Sequence, residues 1–225
     1  MAQKSKVNVT YIVVGVLVVV VLVGWAVVSL RSNSSSDSSS ASYTATVQGA
    51  TVVAGKPAAN KVDVYEDFLC PFCKAFEARD GGKMSQAIND SKIQVVYHPV
   101  DILNRNTTPT GYSLRAANAS LCAAEAGVFP QYHQKLFAEA PGEGSAGLSN
   151  QDLIAKGQQV GAPGSFAQCV TQGKFNKAVS GETLRATKDP SIRAEGSDGF
   201  GTPTVIANGK FADISDDSWL TNLTK

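Results

Sequence analysis

The chain has 225 residues, 43% of them hydrophobic, and its 20 lysines and arginines against 19 aspartates and glutamates leave a net charge of +1. That composition supports one domain with a sizeable core. The charge balance excludes a nucleic-acid partner held by a broadly basic surface.

Tyr11 to Leu30, "YIVVGVLVVVVLVGWAVVSL", carries no charge. As a helix, about 20 such residues span a hydrocarbon core of roughly 30 Å. Tyr11 and Trp25 lie toward the two ends, where amphipathic rings prefer the interface. Lys4 and Lys6 before the run outweigh Arg31 after it, which predicts residues 1–10 in the cytoplasm and the chain beyond residue 30 outside. A cleaved signal peptide competes with this reading, but its apolar region runs to about 7–15 residues and ends in an A-x-A-like site. "GWAVVSLRS" offers no such site, so the sequence favours an uncleaved anchor over residues 11–30. Residues 31–42, "RSNSSSDSSSAS", bury nothing and read as a flexible tether.

Residues 43–225 have globular texture. "TATVQGATVV" predicts a strand or hairpin, and "KVDVYEDFL", Lys61 to Leu69, a strand with Val62 and Val64 at alternate positions. "CKAFEARD" has helical composition, and Gly81-Gly82 is expected to interrupt or end that helix. "KIQVVYH", Lys92 to His98, is a second strand closed by Pro99, which gives a βαβ unit on a parallel pair. A long helical stretch follows. It comprises Ser113 to Gly127, then a helix with Pro130 in its first turn, then one capped by Ser149 or Asn150, then one or two more. Thr202 to Ile214 predicts a hairpin around Asn208-Gly209, and a short helix near Ser218 to Leu223 sets Trp219 on the core. The sum is a mixed sheet with helices on both faces and one large helical insertion.

Four cysteines are present: Cys70, Cys73, Cys122 and Cys169. Outside the cytoplasm an even count favours disulfides. Cys70 and Cys73 sit where a strand meets a helix. The free N–H groups and dipole of that helix terminus favour a thiolate at the first cysteine and make it the attacker. Pro71 suits the first helical position, where its missing N–H costs nothing. A stabilised thiolate also weakens the disulfide relative to the dithiol, so the pair tends to donate its disulfide. A zinc site would need two more ligands, and only the separate histidines His98 and His133 are on offer. No metal is expected. A merely structural bridge over so short a loop would constrain the unfolded chain little, which leaves redox chemistry as the preferred reading. Cys122 and Cys169 read as a structural disulfide, with a free or regulatory thiol as the alternative. Glu66 and Asp67 precede Cys70 closely enough to tune it or relay protons, against the plainer reading of a solvated strand end. His98, ending its strand, is a weaker candidate for the same work, and His133 reads as a packing or rim residue.

"YEDFLCPFCKAF" followed far downstream by "GTPTVIANGK" resembles the DsbA-like thioredoxin-fold oxidoreductases, in particular membrane-anchored exported members, over Val62 to Lys225. The resemblance implies an α/β thioredoxin fold with a helical insertion over about residues 107–195. It implies Cys70 as nucleophile and Cys73 as buried resolving thiol. Pro203 becomes a cis proline packed against the pair, and Thr202 a backbone ledge to which an extended substrate adds as a strand. Pro71 and Phe72 complete the substrate-facing surface. No cofactor beyond the Cys70–Cys73 disulfide is implied. The partners implied are reduced or unfolded exported polypeptides and a quinone-linked membrane reoxidase. Two departures bear on oxidising strength: Phe72 stands where strong oxidases often carry histidine, and Val64 stands where a buried acid is common, six residues before the first cysteine. The expected function is introduction of disulfides into exported proteins. The alternatives are an isomerase or reductase, or a non-catalytic peptide-binding chaperone.

Overall fold

A computed structural model describes residues 42–194 and 196–225. The anchor expected at 11–30 and the tether up to residue 41 lie outside the described residues. Among the described residues no helix is long and apolar enough to cross a membrane.

The chain opens with a hairpin, β1 (Ala45–Gln48) and β2 (Thr51–Ala54), and continues into β3 (Asn60–Glu66). A helical path then runs from α1 (Pro71–Phe76) through a π-helical turn (Glu77–Gly81) into α2 (Gly82–Asn89), before β4 (Ile93–Pro99). β3 and β4 pair in parallel, Val62 beside Val95 and Val64 beside Tyr97. Among the described residues five α-helices stand between β4 and the next strand, α3 (Tyr112–Glu125), α4 (Phe129–Ala138), α5 (Asn150–Gln159), α6 (Gly164–Gln172) and α7 (Asn176–Lys188), followed by a 3-10 turn at Pro190–Ile192. β5 (Thr204–Ala207), β6 (Lys210–Phe211) and α8 (Trp219–Leu223) close the chain. The sheet order is β1-β2-β4-β3-β5-β6, with β3 central and β5 antiparallel to it. This is the α/β thioredoxin-like fold with a helical insertion.

Strand periodicity sorts the side chains. Val62, Val64, Val95 and Val205 share one core with Met84 and Ile88 of α2 and with Trp219 and Leu220 of α8. Tyr65 and Ile206 belong to a separate cluster with Ala186 of α7. At the late hairpin, Asn208 and Gly209 take φ of 50° and 76°, the left-handed values a tight two-residue turn requires. Ser149 caps α5 reciprocally with Asp152: the Asp152 N–H donates to Ser149 Oγ at 3.2 Å and the Ser149 N–H to Asp152 Oδ2 at 2.9 Å.

Gly81-Gly82 interrupts the regular α-helix, at the end of the π turn, but does not end the helical path. The backbone keeps helical angles through both residues, and a Cβ on Gly81 would overlap the Glu77 carboxyl. The missing side chain makes room for Glu77 at a π turn, and packing on both sides outweighs glycine's poor helix propensity.

Candidate active site

β3 delivers the chain to the Asp67–Leu69 turn, and Cys70 follows as the residue before the first turn of α1, with φ −69° and ψ 120°. The Cys70 N–H donates to the Asp67 carbonyl at 2.9 Å, and the Lys74 N–H to the Cys70 carbonyl at 3.1 Å. Pro71 occupies the first turn, where its ring fits and no N–H is missed. Both thiols are free and buried, whereas Phe72 between them is 72% exposed.

Across from this turn the Thr202–Pro203 bond is cis, and the Cys70 thiol donates to the Thr202 carbonyl at 3.2 Å. Residues 132 apart in sequence thus meet at one sulfur. The two thiols are pushed in opposite directions. A hydrogen bond from Cys73 is the main cause that lowers Cys70 to about 6; the backbone N–H groups of Cys73 and Phe72 add to it, and burial works against it. Burial first, and then the neighbouring Cys70, push Cys73 well above the ordinary thiol range. The arrangement holds one ready thiolate and one protected thiol, the division of labour that disulfide exchange needs.

The other residues singled out in the sequence go to three places. Asp67 is fully buried beside the cysteines, with Oδ1 accepting from the Leu69 N–H and Oδ2 from the Leu103 N–H, both at 2.9 Å. Neither it nor Glu66 is a solvated strand end. Glu66 meets His133, Oε1 to Nε2 at 2.7 Å, and His133 Nδ1 lies 3.7 Å from Glu77. His133 is 1% exposed, so it is a buried ionic residue and not a rim histidine. Burial disfavours its charge, yet the Glu66 and Glu77 carboxylates outweigh burial and push it up to about 10. His98 is not brought to the cysteines. Its nitrogens are taken by Asp63 (3.0 Å) and Glu182 (2.7 Å), and its ring stacks on Tyr65.

The packing expected of His133 is there, against Phe68, Tyr97, Phe129 and Phe137, but sequence reasoning missed Glu77 and the ionic pairing. The available signals were a carboxylate one helical turn after Cys73 and a lone histidine inside the aromatic run "FPQYHQKLF". Cys122 and Cys169 are joined by a disulfide between α3 and α6. Among the described residues no group of three or more His, Cys, Asp or Glu side chains is placed to hold a metal ion.

A family model described as thioredoxin matches residues 47–224. The chain belongs to the thioredoxin family. Among solved members, DsbA from Mycobacterium tuberculosis in its reduced form is 26% identical with a TM-score of 0.64, over 80% of this chain and 90% of that one. MdbA of Corynebacterium diphtheriae, described as a thiol-disulfide oxidoreductase, is 25% identical with a TM-score of 0.69, over 84% of this chain and 97% of that one. A curated relative of a different name is the serine/threonine-protein kinase PknE of Mycobacterium tuberculosis, 26% identical over 177 residues. Those residues are 76% of this chain and 31% of the kinase, so the chain spans about a third of the length of the curated relatives it matches.

Proposed function

We propose that this thioredoxin-family protein is a thiol–disulfide oxidoreductase that introduces disulfides into exported polypeptides. The observation that carries the reading is a single sulfur. Cys70 stands at the N-terminal end of the active-site helix, donates to the carbonyl before the cis proline, and has Cys73 buried three residues on. A substrate thiolate attacks the Cys70–Cys73 disulfide at Cys70, and Cys73 leaves and takes a proton. A second substrate thiolate then attacks the substrate sulfur of the mixed disulfide. Cys70 leaves as the thiolate, and substrate has lost two electrons to the pair. Phe72 gives an incoming chain an apolar contact, and the edge at Thr202 offers backbone hydrogen bonds.

The uncharged run at 11–30 supports a tether that keeps the domain outside the cytoplasmic membrane. Continued turnover then calls for a membrane partner that withdraws electrons from the dithiol, for which a quinone-linked protein is the candidate.

The test is oxidation of a reduced, unfolded substrate with two cysteines. Cys70→Ser should abolish disulfide formation. A variant as active as the parent would refute the reading.

A further inference from the structure

The Cys122–Cys169 bridge is not sealed in the core. A cavity of about 360 Å³ at the end of α3 and beside α6 is lined by both cysteines, a volume in the range of small-molecule sites. Phe166 contributes an apolar wall, and Glu125, Gln168 and Lys174 contribute polar groups. Glu125 is the last residue of α3, one helical turn beyond Cys122, so its side chain stands on the face that carries the sulfur. Its Oε2 lies 3.8 Å from the Cys169 sulfur, and its Oε1 pairs with the Lys174 ammonium. Both side chains are about half-exposed.

The two sulfurs are not equivalent to an incoming thiolate. Cys169 is 7% exposed and Cys122 1%. Attack on Cys122 would expel the Cys169 sulfur as an anion against the Glu125 carboxylate, which disfavours it. Attack on Cys169 leaves the charge on Cys122, in the buried cluster that holds Ala119, Ala123 and Phe166. Burial of that leaving thiolate makes the step slow without forbidding it. The same carboxylate repels an attacking thiol that carries a second negative charge, and attracts an ammonium carried beside the sulfur.

We propose that Cys169 is a second point of thiol–disulfide exchange, reached through this cavity by small amine-bearing thiols and guarded by Glu125 against anionic ones. The thiolate of such a molecule attacks Cys169 while its ammonium lies against Glu125. A mixed disulfide forms on Cys169 and the bond to Cys122 breaks. Cys122 leaves as the thiolate and takes the proton that the incoming thiol gave up. One disulfide is exchanged for another, so the step needs no separate oxidant or reductant. Exchange here opens the clasp between α3 and α6, which belongs to the same buried cluster as Cys70 and Cys73, without consuming the active-site pair.

The full chain is treated under native conditions with cysteamine, 2-mercaptoethanol or 3-mercaptopropionate and quenched in acid, and adducts are assigned to individual cysteines by peptide mass spectrometry. Among Cys122 and Cys169, the first adduct should form on Cys169. Its rate per thiolate should fall in the order cationic, neutral, anionic. Comparing proteins cancels the intrinsic reactivity of each thiol. The cysteamine-to-mercaptopropionate ratio should fall about three- to tenfold in Glu125→Gln, the size expected of a half-exposed, screened charge. It should rise in Lys174→Gln, which leaves the carboxylate uncompensated. Raising the salt from about 0.01 M to about 1 M shortens the screening length from about 30 Å to about 3 Å and should lower the ratio in the parent, a comparison that needs no variant. Adducts confined to Cys70 and Cys73, adducts on Cys122 in place of Cys169, or a ratio unchanged in Glu125→Gln each overturns the proposal. Equal labelling of Cys122 and Cys169 without charge preference, the mark of access by unfolding, overturns it as well.

Discussion

Removing the Cys73 sulfur should raise the Cys70 thiol, because the hydrogen bond between them is the main cause of the value near 6. At pH 7 a thiol at about 6 is roughly nine-tenths ionised, whereas one at the ordinary 8.5 or so is about 3% ionised. Cys73→Ala leaves the N–H groups of the helix terminus in place, so the shift should be partial. Cys70 should move above about 7 and its thiolate fraction at pH 7 should fall below half. Ultraviolet titration of the thiolate in reduced protein measures both, and the pH dependence of alkylation checks the assignment. The same depression has a consequence for stability. A thiol whose folded value lies below its unfolded value stabilises the folded state above the unfolded value and loses that contribution as pH falls through the folded one. Reduced protein should therefore gain stability over Cys70→Ser between about pH 6 and pH 8.5, and the disulfide form should not. A Cys73→Ala protein that titrates with the parent, or a parent that titrates above pH 8, would refute the reasoning.

Other perturbations address the frame. His133→Gln leaves Glu66 and Glu77 facing each other without their counter-charge, which should cost about 3–5 kcal/mol. With His133 raised to about 10, its contribution is present below about 6.5 and fades as pH rises through 10, so the parent should weaken there and the variant should not. Replacing Cys122 and Cys169 together by alanine opens a bridge across 47 residues. The loss should be about 4 kcal/mol on the chain-entropy argument, with exchange at Cys70 retained. Gly157→Ala would drive a Cβ into the buried Phe166 ring between α5 and α6, at a cost of about 1–3 kcal/mol. Gly181→Ala meets open space within α7 and should gain about 0.5–1 kcal/mol.

What could be read from the sequence was local or repeated. Val62 and Val64 alternate because the central strand buries one face. Pro71 after Cys70 marks a helix start, and Asn208-Gly209 marks a turn that needs positive φ. Each of these signals is carried by neighbours in the chain. The pairing of Glu66 with His133 joins residues 67 positions apart on a strand and on the helical insertion, and nothing near either residue announces the other. Gly81-Gly82 signalled an interruption but not its form: the regular α-helix gives way to a π turn ending at Gly81, beside the Glu77 carboxyl, and then resumes. The surroundings of His98 are set by strand register, which decides the carboxylates it meets. Asp63 belongs to the neighbouring strand and Glu182 to α7.

Whether this protein oxidises its clients is tested most directly by the equilibrium reduction potential of the Cys70–Cys73 pair against a glutathione buffer. A thiolate held near 6 in the dithiol form favours that form, so the pair should lie above about −200 mV, on the oxidising side of glutaredoxins. A value near −270 mV, that of reducing thioredoxin, would contradict an oxidase.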